Sequence, residues 1–126
     1  MKLLIAVALG GALGSVARHL VAARITHVYG TQFPWGILTV NVVGSFVMGV
    51  LAEAMALRFA LAPEWRAFLT VGILGGFTTF SSFSFDVATL IERGDLGPAA
   101  VYVAASVLLS VGALFAGLWV MRAAWG

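Results

Sequence analysis

The sequence predicts an all-α membrane protein of four transmembrane helices, with the third helix broken in mid-membrane. Of its 126 residues, 62% are hydrophobic and only 10% charged, too few charges to cover a water-soluble domain of this length. Four apolar stretches, over residues 2–24, 35–58, 66–93 and 97–122, each come near or above the ~20 residues that cross ~30 Å of hydrocarbon as a helix. Inside the third stretch lies Gly75-Gly76-Phe77-Thr78-Thr79-Phe80-Ser81-Ser82-Phe83-Ser84. A glycine pair followed by two β-branched threonines makes poor continuous helix. In lipid a broken helix leaves backbone groups unpaired at several kcal/mol each, roughly. A break at that depth is kept only where an ion, a cavity or a partner chain uses it.

The first stretch opens at Lys2 and carries Gly10, Gly11 and Gly14, small residues that let another helix approach closely. Its apolar run is longer than the ~7–15 residue core of a signal peptide, which Lys2, Ala22 and Ala23 would otherwise resemble. Phe33-Pro34-Trp35-Gly36 separates it from the second stretch, and Pro34 is placed to open that helix, where a missing N–H costs little. Leu61-Ala62-Pro63-Glu64 precedes the third, with Pro63 and Glu64 suited to a helix N-terminus. Gly94-Asp95-Leu96-Gly97-Pro98 precedes the fourth. Trp35, Trp65, Trp119 and Trp125 fall near the ends of spans, as an aromatic belt requires. The whole chain, 1–126, reads as a single transmembrane domain embedded in the lipid bilayer.

Four spans put both termini on one side, with Lys2, Arg58, Arg66 and Arg122; the other side holds Arg24, Arg93 and, if it snorkels outward, Arg18. So small a bias agrees with cytoplasmic termini and also with dual topology, in which copies insert both ways and pair antiparallel. Four helices filled with side chains leave little room for a pore, so a conduit of this size calls for an oligomer, most simply a two-fold one. The net charge of +2, without a basic cluster, gives no sign of nucleic acid. No cysteine is present, so there is neither a disulfide framework nor a thiolate metal site. His19 and His27 lack the acidic or thiol company of a metal centre. Gly72-Ile73-Leu74-Gly75-Gly76 lacks the Lys-Ser/Thr of a phosphate loop. No catalytic constellation is present, and the chain does not read as an enzyme.

The polar residues inside the spans carry what function the sequence holds. Asn41 and Ser45 lie four apart on one helix face, where the ordinary role is interhelical hydrogen bonding and the functional one is ion contact. Tyr102, Ser106 and Ser110 make an i, i+4, i+8 stripe of hydroxyls, either glue between helices or a track that replaces water around a small ion. Phe77, Phe80 and Phe83 recur every three residues among Thr78, Thr79, Ser81, Ser82 and Ser84. Their rings offer positive edges to an anion or negative faces to a cation. Arg18 sits near the end of the first span, placed to snorkel or to lend positive potential to an anion vestibule. Glu53 and Asp86 are close enough to span ends to pair with Arg58, Arg66 or Arg93; a proton-carrying carboxylate is the alternative.

Three motifs in order, Gly10-Gly11-Ala12-Leu13-Gly14-Ser15-Val16-Ala17-Arg18, Val40-Asn41-Val42-Val43-Gly44-Ser45-Phe46-Val47-Met48-Gly49 and the run from Gly72 to Ser84, resemble those of the Fluc (CrcB) fluoride channels. The resemblance spans essentially the whole chain, and the third motif is its most specific part. It implies a passive, fluoride-selective exporter of the prokaryotic inner membrane, built as an antiparallel dual-topology homodimer. It also implies a structural sodium ion at the centre of the dimer interface, held by backbone carbonyls that correspond here to Gly75 and Thr78 of each subunit. Asn41 corresponds to the family's pore asparagine, and Phe80 and Phe83 to the phenylalanines lining its pathways. Ser81 and Ser84 stand beside them, Tyr102, Ser106 and Ser110 match the hydroxyl track, and Arg18 matches the first-helix arginine. The departures are Ser82 in place of threonine, His19 in place of an aromatic residue, Asp86 in place of glutamate and Ile37 in place of threonine. A proton-coupled small multidrug transporter would also have four spans, but it needs a deep carboxylate in the first span, which is absent here. A non-conducting assembly subunit held by its Gly and Ser faces is the third reading.

Overall fold

Helix α1, Lys2–Tyr29, ends where Gly30 turns to φ +87°, a left-handed conformation that suits glycine and stops a helix. Helix α2, Trp35–Leu57, starts behind Pro34, which has no N–H to leave unpaired. Helix α3, Pro63–Ala67, has Pro63 in its first turn. It runs on through a π-helical turn, Phe68–Leu74, into the short α4, Gly75–Phe77. After a two-residue break, α5 covers Phe80–Glu92; Gly94 at φ +84° then reverses the chain into α6, Leu96–Trp125. The computed structural model describes all residues, Met1–Gly126.

Lys2–Tyr29, Trp35–Leu57, Pro63–Glu92 and Leu96–Trp125 are each long and apolar enough to cross a membrane. The protein is therefore an all-helical, multi-pass membrane protein with an interrupted third span. Only 17 of 126 residues are buried, so most large apolar side chains point outward, the arrangement a hydrocarbon solvent accepts and water does not. The buried centre is small, built from Leu38, Phe83, Leu90, Ala99 and Tyr102.

Lipid tails are as apolar as leucine, so these helices gain little by hiding apolar surface from one another and must gain by close packing. Glycines provide it in two pairs of helices. Along α1 and the first half of the third span, a Cβ on Gly10 would come within 2.5 Å of the Phe68 carbonyl oxygen, and one on Gly76 within 2.7 Å of the Gly11 oxygen. A Cβ on Gly14 would overlap the Ile73 carbonyl. Between α2 and α6, Gly49 lies against the Leu114 backbone and Gly117 against that of Phe46. Gly44 joins the two pairs by receiving the methyl group of Thr78.

The charged residues pair differently from the sequence expectation. Glu53 is held by Arg122, with Nε to Oε1 at 3.0 Å and a second bond from the guanidinium to Oε2 at 3.3 Å. The glycine contacts between α2 and α6 bring these residues together across 69 positions. Arg93 donates to Asp95 and to the Gln32 and Thr31 carbonyls, tying the two loops at that end. Arg58 lies 5.6 Å from the centre of the Trp125 ring. Because the Arg122 side chain is 54% exposed, its pair with Glu53 is screened and adds little. Glu53→Gln is expected to lower the thermal unfolding midpoint in detergent only slightly.

A candidate ion conduit at the helix break

The break falls on the threonines, not on the glycines. Gly75 and Gly76 stay helical in α4, where Gly76 serves close packing. Thr78, at φ −90° and ψ 155°, and Thr79, at φ −153° and ψ 121°, are extended, the region β-branched residues favour. The Thr79 hydroxyl then caps α5 by accepting from the Ser82 N–H at 3.1 Å. The Thr78 hydroxyl donates to the Leu74 carbonyl at 2.9 Å.

Asn41, on α2, meets this segment edge-on. Its Nδ2 donates to the Thr79 carbonyl at 3.1 Å, and its Oδ1 accepts from the Thr79 N–H at 2.8 Å. The side-chain amide thus pairs both backbone groups of Thr79, as a neighbouring peptide would. In a continuous helix the Thr79 N–H would go to the Gly75 carbonyl and the Ser82 N–H to the Thr78 carbonyl. Both donors are used elsewhere, so Gly75 and Thr78 lose their helical partners. Gly75 is also exposed, and a Cβ there would meet only the Thr70 oxygen at 3.7 Å.

Beside the break a cleft of about 290 Å³ opens between α2, α5 and α6. Asn41, Ser45, Phe80, Phe83, Ser106 and Ser110 line it, with Thr78, Thr79, Val107 and Val111 completing its wall. The Ser106 and Ser110 hydroxyls are buried and have no hydrogen-bond partner. The rings of Phe80 and Phe83 are 5.2 Å apart at 49°; Phe83 is buried, whereas Phe80 is 75% exposed.

The structure brings some of the expected residues together and leaves others apart. Asn41, Phe80, Phe83, Ser106 and Ser110 share the cleft. Tyr102, one turn along the same stripe, is fully buried but turns away, donating its hydroxyl to Asp86 Oδ2 at 3.0 Å. Its ring lies tilted against Phe83 at 5.1 Å and meets Phe33 edge-on at 5.5 Å. Ser81 bonds the Thr79 hydroxyl at 3.2 Å and Ser84 donates to the Phe80 carbonyl at 3.0 Å; both are exposed and outside the cleft. Arg18 is half-buried on α1 and also outside it. Sequence reasoning missed Thr79 as both cap and partner of Asn41, although Thr79-x-x-Ser82 has the spacing of an N-cap.

A broken span, an amide bridging the break and a cleft with free hydroxyls among phenylalanines define a small polytopic membrane protein built to pass something at mid-membrane. Residues 5–118 match the family model for CrcB-like protein, Camphor Resistance (CrcB), and the chain belongs to that family. It is 63% identical over 124 residues to the "Fluoride-specific ion channel FluC" of Rhodospirillum centenum, covering 98% of each chain. It is 55% identical over 119 residues to the protein of that name in a Chelativorans species, covering 94% of this chain and 95% of that one. A third relative of that name, from Nitrobacter winogradskyi, is 53% identical over 119 residues, covering 94% of each. These relatives are named as ion channels, and no enzyme is among them.

Proposed function

We propose that this chain forms a fluoride-selective channel that lets fluoride leave the cytoplasm passively through the inner membrane, and so protects the cell from fluoride. The observation that carries the reading is the pair of buried, partnerless hydroxyls, Ser106 and Ser110, in a cleft walled by Phe80 and Phe83. An unpaired buried hydroxyl costs about 1–3 kcal/mol, a cost that makes sense where a passing ion supplies the missing partner. The three fluoride-channel relatives name the ion.

Fluoride is small and strongly hydrated, so a conduit has to offer donors in place of water. Ser106 and Ser110 can donate, and Asn41 keeps one of its two amide hydrogens after bonding Thr79. The ring edges of Phe80 and Phe83 carry partial positive charge. A full positive charge among them would hold the ion too tightly to release it. Tyr102, whose one hydroxyl hydrogen goes to Asp86, would join the track only by giving up that bond, and Arg18 would add positive potential to a vestibule. Ser81 and Ser84 face outward and would reach a pathway only against a second copy.

The exposed Gly75 backbone supports such a second copy, because a carbonyl without its donor at mid-membrane needs cover. An antiparallel, dual-topology homodimer would supply it and would bring the Gly75 and Thr78 carbonyls of both subunits together. Four carbonyl oxygens suit a hard cation such as sodium. A bound sodium would join the two broken helices and contribute positive potential.

Two experiments test the reading. Expression in a bacterium lacking its own fluoride exporter is expected to restore growth in fluoride medium; growth no better than with empty vector would oppose it. The chain has no cysteine, so a single Thr31→Cys reports orientation cleanly. Labelling of comparable fractions from either side of the membrane is expected, and labelling from one side only would exclude dual topology.

A further inference from the structure

We infer that Asn41 is the positioning residue that makes the helix break and thereby frees the Gly75 carbonyl, in addition to lining the cleft. This inference rests on the cation site proposed above. Asn41 reaches Thr79 with both ends of its amide, at 3.1 and 2.8 Å. Its Oδ1 takes the proton that the Gly75 carbonyl would otherwise accept, acting as a peptide surrogate supplied by another helix. Thr78 and Thr79 favour extended backbone, but in lipid an extended segment is tolerable only when its polar groups are paired. Within the segment only the side chain of Asn41 pairs both the N–H and the C=O of Thr79. Gly44, three residues on, seats the Thr78 methyl in the space a side chain would fill. Helix α2 therefore holds the break from outside, through Asn41, which also lines the cleft, and through Gly44.

A residue that only lined the cleft would affect flux and leave cation binding alone. One that presents the Gly75 carbonyl must affect cation binding as well. The test measures thermal unfolding of the purified dimer against sodium chloride, with N-methylglucamine chloride holding ionic strength constant. Asn41→Ala and Asn41→Ser, neither long enough to pair both Thr79 groups, are expected to move the sodium midpoint up by about tenfold or more, as the loss of two of four carbonyl ligands, one from each subunit, would. Ser106→Ala, which alters the cleft alone, is expected to leave that midpoint in place. An unchanged midpoint in the Asn41 variants, with flux reduced, would overturn the inference and make Asn41 a lining group only. If wild type itself shows no sodium dependence, the cation reading fails separately. Hydrogen exchange at the Thr79 amide, compared between wild type and Asn41→Ala, then decides the positioning role. Protection in wild type that is lost in the variant supports it, and equal protection in both, as an unbroken helix would give, defeats it.

Discussion

Gly14→Val is expected to abolish the folded protein and, with it, all flux. The added Cβ would overlap the carbonyl of Ile73, a backbone group that cannot rotate aside as a side chain can. Relief would require α1 to move off the first half of the third span, where Gly10 and Gly76 also lie against backbone. Overpacking in a well-packed interior costs roughly 1–3 kcal/mol, and a backbone collision with two further methyl groups lies at or beyond the top of that range. Against a total stability of about 5–15 kcal/mol, that removes a large share. The same movement would carry Gly75 to Thr79 away from Asn41 and dismantle the break. The expected readout is a loss of the monodisperse peak on size-exclusion chromatography. Gly11→Ala is the control: nothing lies within 4 Å of a Cβ at that position, and it is expected to elute and conduct as wild type.

The double substitution Ser106→Ala with Ser110→Ala is expected to separate stability from function. Both hydroxyls are buried without a partner, so removing them relieves an unmet cost instead of creating one. The unfolding midpoint should hold or rise. Fluoride efflux should fall by about tenfold or more, corresponding to ~1.4 kcal/mol of lost ion stabilisation, because two donors no longer stand in for water. A more stable but slower channel is the mark of a functional polar group placed against the interests of the fold. If both stability and flux fell together, the hydroxyls would instead be holding the helices to one another.

Hydropathy located the four spans because the bilayer demands length and apolarity and little else. It put their ends less well: α1 continues past Arg24 to Tyr29, since a long cationic side chain near a span end can snorkel without stopping the helix. The third span was legible as broken within the glycine–threonine run, and the structure narrows the break to its threonines. Gly76 is there to let α1 approach, and the β-branched Thr78 and Thr79 carry the extended backbone. The π-helical turn at Phe68–Leu74 leaves no mark in the residues that form it, being tied to the close packing of α1 around Gly10 and Gly14. Asn41 and Ser45 could be placed on one helix face by their spacing. The partner of Asn41 is 38 residues away, and the Arg122 that meets Glu53 is 69 away, distances over which no local pattern operates. Tyr102 shows the same limit: its place in the stripe was visible, but its bond to Asp86 depends on how α5 leaves the break.

The central claim is that this chain conducts fluoride, and efflux from liposomes tests it most directly. Purified protein would be reconstituted into vesicles loaded with potassium fluoride or potassium chloride, and release followed with ion-selective electrodes after addition of valinomycin. Rapid fluoride release with little chloride movement, unchanged when a proton gradient is imposed, is the result expected. No fluoride release from protein that remains monodisperse, or release only when driven by protons, would contradict the account.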